Sequence, residues 1–201
     1  MKLFKNATSP FARVAHAMLM EAGAHPEIDV VNQWESPDRL VDRNPAQRIP
    51  TLELDDGSIL TEALIIARHA ADIAPDGSHL KTMTVTDYEI SGFAFGVFDS
   101  AVYTLNGRKI VSGEFGDSAF DGSEMGQRRR RSMVNGLQRL EGMTDKLSTS
   151  DIGLAEISTV TALHYVKLRF PDADWMPATP NLDAFAERVS ERPSIGKTMP
   201  N

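Results

Sequence analysis

A serine set immediately before a proline, at the mouth of a helical pattern, is the first residue able to do chemistry. Ser9-Pro10 precedes Phe11, Val14, Ala15, Met18, Leu19 and Ala22 at helical spacing. Serine is a favoured N-cap, and proline at the first helical position loses only an N–H that has no helical partner. The Ser9 hydroxyl thus lies among N–H groups that point out of the helix end, where a nearby anion is stabilised. It can act as an ordinary cap or donate to that anion, and Thr8 and Asn6 stand beside it as further donors. A second concentration of signals runs from Arg48 to Ala63. Ile49-Pro50 enters an alternating strand, and a cis bond there would present the backbone N–H and C=O of Ile49; cis bonds at X-Pro are uncommon enough to be meaningful where they occur. Asp56-Gly57 is a hairpin turn. Thr61-Glu62-Ala63 opens a helix whose N–H groups would face a carboxylate. Such a stretch is a scaffold for a small peptide-like ligand, with Arg48 as a cation beside it.

The rest of the composition narrows the chemistry. There is no cysteine among the 201 residues, which removes disulfides, zinc–thiolate sites and a protein-borne thiol nucleophile. The five histidines, His16, His25, His69, His79 and His164, have no ligand-like spacing, so no metal site is read. With 28 acidic against 21 basic residues the net charge is −7, which argues against general nucleic-acid or anionic-membrane binding. The run Arg128 to Arg131 reads as a solvated helix face or an interface with acidic residues. The N-terminus is too short and polar for a signal peptide, and no apolar run approaches a membrane span. A cytoplasmic location is expected.

The elements that must position these residues follow from periodicity. Residues 2–6 read as a strand, Ser9 to Gly23 as a helix, and Glu27–Val31 as a second strand. A short helix is expected over 36–42, then a hairpin of 51–54 and 58–60. A helix from Glu62 to about Ile73 is expected to turn Leu64, Ile65, Ala67 and Ala71 inward. The order is β-α-β-α-β-β-α, with the first two strands parallel through a right-handed crossover. Ala74-Pro75-Asp76-Gly77-Ser78 marks a boundary, giving domains 1–74 and 81–201 joined by a linker at 75–80. The second domain reads as all helical: 81 to about 106 with Tyr88, Phe95, Phe98 and Val102 as core, then 124–147, 148–170 and 181–192. The tail from Pro193 reads as irregular.

This layout resembles the glutathione S-transferase family, and the bacterial, cysteine-free, serine-type members in particular. The likeness rests on Thr8-Ser9-Pro10-Phe11-Ala12-Arg13, on Asn44-Pro45 through Arg48-Ile49-Pro50-Thr51-Leu52, and on Leu60-Thr61-Glu62-Ala63 to Ile66-Ala67. In the second half, Ser148-Thr149-Ser150-Asp151 has the form of the capping box that opens the family's central helix. The resemblance implies a thioredoxin-like N-terminal domain plus an all-α C-terminal helical bundle. It implies a glutathione transferase that conjugates glutathione to small hydrophobic electrophiles, acting in detoxification as a homodimer. Glutathione would enter as cosubstrate, with no bound cofactor and no metal.

The same resemblance assigns roles. Ser9 would donate to the glutathione sulfur, whose thiol pKa is about 8.5 unaided. Lowering it by about two units is worth roughly 2.7 kcal/mol, within reach of one hydroxyl hydrogen bond and a helix N-terminus. Ile49 would meet the cysteinyl backbone, Pro50 would hold Ile49, and Arg48 would pair with the glycyl carboxylate. Glu62 would face the γ-glutamyl ammonium, and the N–H of Ala63 its carboxylate. The family usually has Ser or Thr at that last position, so Ala63 provides one donor fewer, a difference of order 1 kcal/mol. Phe95, Asp99, Tyr103 and Tyr165 are the expected wall for the electrophile. Ser148 and Asp151 are assigned to folding. Two other readings share the site: a non-catalytic glutathione-binding or regulatory protein, and a glutathione-dependent isomerase or dehalogenase.

Overall fold

The computed structural model describes residues 1–200. Four strands, β1 (Lys2–Lys5), β2 (Glu27–Val30), β3 (Thr51–Glu53) and β4 (Ile59–Thr61), form one sheet in the order β2-β1-β3-β4. β1 and β2 are parallel, with Leu3 opposite Ile28, whereas β3 is antiparallel to both β1 and β4. Between them run α1 (Pro10–Glu21) and α2 (Asp38–Val41), and α3 (Ala63–Ile73) follows the hairpin. Alternation along β1 feeds two cores. Leu3 points with Leu52 toward Val14 and Met18 of α1 and Ile66 and Ala70 of α3. Phe4 points the other way, to Val31 and Leu40.

The remaining helices are α4 (Val85–Ser112), α5 (Glu124–Glu141), α6 (Leu154–Arg169), α7 (Pro180–Val189) and α8 (Pro193–Gly196). The α4 start is fixed by a reciprocal capping box: Asp87 N donates to Thr84 Oγ1 (3.3 Å) and Thr84 N to Asp87 Oδ2 (2.6 Å). α4 and α5 approach closely, since a Cβ on Gly136 would fall 2.4 Å from Val97 Cγ2. α6 is buried along nearly its whole length, from Leu154 through Val166. Phe11 of α1 packs edge-on to Phe98 of α4 with ring centroids 5.1 Å apart, so the helix that Ser9 caps is seated on the C-terminal helices. This is a thioredoxin-like sheet region followed by a mostly helical part.

Four expectations change. Leu64 and Ile65 are 50% and 52% exposed, while Ile66, Ala67, Ala70 and Ala71 face the core. Tyr88 is likewise on the surface, one turn from the α4 cap. The central helix begins at Leu154, not Ser148. Ser148 Oγ does accept from Asp151 N at 2.9 Å, but the Asp151 carboxylate does not reach back. The buried Glu156 takes that role, accepting from Ser148 N and Gly153 N, each at 3.0 Å. The carboxylate of Asp151, exposed at the surface, accepts instead from Ser150 Oγ at 3.0 Å. The tail is not wholly irregular either: α8 buries Ile195, and Arg192 binds Glu21 of α1 through Nη2 at 2.7 Å.

Candidate functional site

A cleft of about 770 Å³ opens between the sheet region and α4 and α6. One wall is the β1–α1 loop with Asn6, Thr8, Ser9, Pro10 and Phe11. Ser9 has extended backbone, φ −65° and ψ 121°, and its Oγ accepts from Ala12 N at 3.2 Å. A serine hydroxyl has one O–H donor besides two lone pairs, so capping leaves the O–H able to donate into the cleft. Asn6 shapes this loop: its Oδ1 accepts from Thr8 N (3.1 Å) and Ser9 N (2.6 Å), and its Nδ2 donates to Gln33 Oε1 (3.1 Å). Those bonds make Asn6 a positioning residue.

A second wall carries Gln47, Arg48 and Ile49. The Ile49-Pro50 bond is cis. The loop before it is organised by buried Asn44, whose Nδ2 donates to Arg48 O and to Thr51 Oγ1, both at 3.0 Å. Pro50 is buried behind Ile49. Glu62 and Ala63 lie outside the cleft lining, and Arg48 Nη1 reaches Glu62 Oε1 at 3.2 Å. Both side chains are more than half exposed, so this ion pair contributes at most about 1 kcal/mol. Glu62 has φ 68° and ψ 131° and caps α3 without a side-chain bond. A left-handed φ at a non-glycine residue costs of order 1–3 kcal/mol and clusters at ligand corners. Ala63, the first residue of α3, is buried.

The C-terminal helices complete the lining with Val102, Leu105 and Asn106 of α4 and Tyr165 and Arg169 of α6. Trp34 and Phe115 approach across the mouth with centroids 5.9 Å apart, and Lys109 Nζ sits over both rings, at 5.2 and 4.7 Å. Of the four expected wall residues only Tyr165 lines the cleft. Phe95 packs against Phe11 and Phe98. Tyr103 is covered by Arg129 at 4.7 Å. Asp99 is half-buried, and burial raises its pKa against the opposing pull of Arg129. The α4 face that meets the cleft is offset from the one bearing residues 95, 99 and 103.

Beneath Ser9 the electrostatics are cationic. Arg13 is 5% exposed, and burial lowers its pKa to about 10. Its Nη1 meets His164 Nδ1 at 3.2 Å, and burial followed by Arg13 pushes His164 down to about 4. Burial raises the Tyr165 phenol, with Arg169 opposing. Sequence reasoning missed Arg169, Trp34, Gln33, Asn106 and Phe115. Arg169 in the last turn of a helix reads as a dipole partner, and nothing local marks the others.

Residues 8–73, the sheet region with α1 to α3, match the family model of the glutathione S-transferase N-terminal domain. The chain is 26% identical over 208 residues to the uncharacterized GST-like protein YibF of Escherichia coli (strain K12), covering 100% of this chain and 98% of that one. Among solved structures it resembles a glutathione S-transferase from Methylobacterium radiotolerans JCM 2831 in complex with glutathione sulfonate. That likeness has a TM-score of 0.85 at 24% identity and covers 99% of this chain and 94% of the other. A glutathione S-transferase from Methylobacillus flagellatus KT with glutathione bound matches with a TM-score of 0.79 at 25% identity, over 100% and 99% of the two chains. Among the described residues no helix is long and apolar enough to cross a membrane.

Proposed function

We propose that this protein binds glutathione in the cleft and conjugates its thiolate to a small hydrophobic electrophile, with Ser9 as the residue that holds the thiolate. The observation that carries this reading is the Ser9 hydroxyl, which caps α1 through Ala12 N and keeps its O–H for the cleft it shares with Ile49 and Arg48. Ile49 would present its backbone to the cysteinyl unit, and Pro50 would hold it there. Arg48 would take the glycyl carboxylate, and Glu62 with Ala63 N–H the γ-glutamyl group. The Arg48–Glu62 pair is exposed and weak, so ligand charges can replace it at small cost. The glutathione and glutathione sulfonate bound by the two relatives support the choice of ligand. Acceleration would come from thiol deprotonation and from proximity. We take residues 1–74 as the glutathione domain and 81–201 as the electrophile domain, joined at 75–80. The assembly would be a homodimer, for which exposed Leu64 and Ile65 provide an apolar surface.

The test is a calorimetric titration with glutathione, followed by thiolate absorbance of the bound ligand in wild type and Ser9→Ala. Binding with a thiolate signal at neutral pH, lost in the variant, is the expected result. No binding at millimolar glutathione would sink the glutathione reading altogether. A non-catalytic glutathione-binding protein is the second reading, favoured by Ala63, which lacks the hydroxyl donor usual at that corner. Binding without turnover of any aryl or alkyl electrophile would select it.

A further inference from the structure

From the cleft's charge pattern we infer that the electrophile carries a carboxylate, held by Arg169 a few bonds from the carbon that sulfur attacks; this rests on the glutathione reading above. Arg169 ends α6 and reaches across to the β1–α1 loop, where its Nη2 donates to Thr8 Oγ1 at 2.6 Å, one residue from Ser9. Its guanidinium lies over the Tyr165 ring at 5.5 Å, a contact that fixes the plane of the fork. Its Nε is buried with no hydrogen-bond partner. No Asp or Glu among the described residues forms an ion pair with it.

Half-buried cations without a counter-ion are unfavourable unless something completes them. The cleft lining holds two arginines, Arg48 and Arg169, and no acidic residue, although the chain as a whole carries a net charge of −7. Arg48 already has Glu62, and the peptide ligand provides its own carboxylates on that side. Arg169 bonds Thr8, next to Ser9, and lines the same cleft as the apolar side chains of Phe11, Val102 and Leu105. Arg13, buried behind the same loop with His164 as its neighbour, adds positive potential and no acid. An apolar body with one short-tethered carboxylate fits this arrangement, because a planar guanidinium pairs with a carboxylate through two parallel bonds.

The experiment measures binding of glutathione, S-(2-carboxyethyl)glutathione and S-(2-carbamoylethyl)glutathione to the full-length protein by calorimetry. The two conjugates differ only in charge at the same shape. Wild type is expected to prefer the carboxylate by about tenfold, the lower end for a hydrogen bond to a charged group, with the preference shrinking as salt is raised. In Arg169→Met the ratio should fall to about one while the amide conjugate binds as before, and Arg169→Lys should keep part of it. Equal weakening of both conjugates would make Arg169 a strut between α6 and the loop and overturn the inference. So would a wild-type ratio near one, or a ratio that survives in Arg169→Met. If Arg169→Met melts well below wild type, the Lys variant and the salt dependence carry the decision. Failure of glutathione itself to bind overturns the glutathione reading together with this one, whereas bound glutathione without carboxylate preference overturns this one alone.

Discussion

At Ser9 one oxygen serves both folding and the proposed chemistry, so its removal has two separable consequences. Ser9→Ala deletes the bond from Ala12 N, and loss of an N-cap costs about 1 kcal/mol of stability, read by denaturant titration. If the hydroxyl also supplies the whole two-unit lowering of the thiol pKa, the thiolate fraction at pH ~6.5 falls by about fiftyfold. Turnover at that pH should fall with it and recover as the pH is raised. A stability loss with unchanged thiolate absorbance would leave Ser9 as a cap only. The donor would then be Thr8, since Asn6 spends its amide on Gln33 and its carbonyl on the loop N–H groups. The serine–proline signature was legible because capping is local chemistry. That its hydroxyl faces the same cleft as Ile49 was not, because the loop's direction depends on Asn6 and Gln33 far apart in the chain.

Among the elements, α6 shows how a correct element can have its anchor misread. The pattern Ser148-x-x-Asp151 has the form of a capping box, but the helix starts after Gly153, which has no side chain to announce it. Glu156 holds two backbone N–H groups at once, and its deletion leaves both without a partner. Glu156→Ala should destabilise the fold by about 2–4 kcal/mol, whereas Asp151→Ala, at an exposed site, should change it by less than about 0.5 kcal/mol. Chemical denaturation of the two variants checks this, and equal losses would restore Asp151 to the role. α3 differs from expectation for another reason. Leu64 and Ile65 are apolar yet lie off the stripe made by Ala63, Ile66, Ala67, Ala70 and Ala71, which is the face that packs inward.

The whole molecule links folding to protons through groups that burial keeps neutral or paired. His16 and His164 are both lowered to about 4, first by burial and then by neighbouring cations. The unfolded chain protonates its histidines near pH ~6.5. Between those values the unfolded state binds more protons, so stability rises with pH. It should be complete above about pH 6.5 and fall as pH drops toward 4, and His164→Gln should flatten that fall. Glu21 adds a loss at lower pH. Burial raises its pKa, but hydrogen bonds from Arg192 and Ser194 outweigh this and hold it below the usual carboxylate range. At the same scale belongs the proposed dimer: sedimentation should give twice the chain mass, and Leu64→Glu with Ile65→Glu should give monomer. Monomer in wild type at assay concentration would remove the dimer. Short-range physics made the Ser9 cap, the Asp56-Gly57 turn, the strand and helix order, and the family likeness that these carry legible in the residues alone. Which acid anchors α6, and that Arg169 lies on Thr8, come from packing, in the second case between distant parts of the chain. That last pair is separated by 161 residues, and no local preference encodes a contact whose partners meet only when two packed layers close on each other.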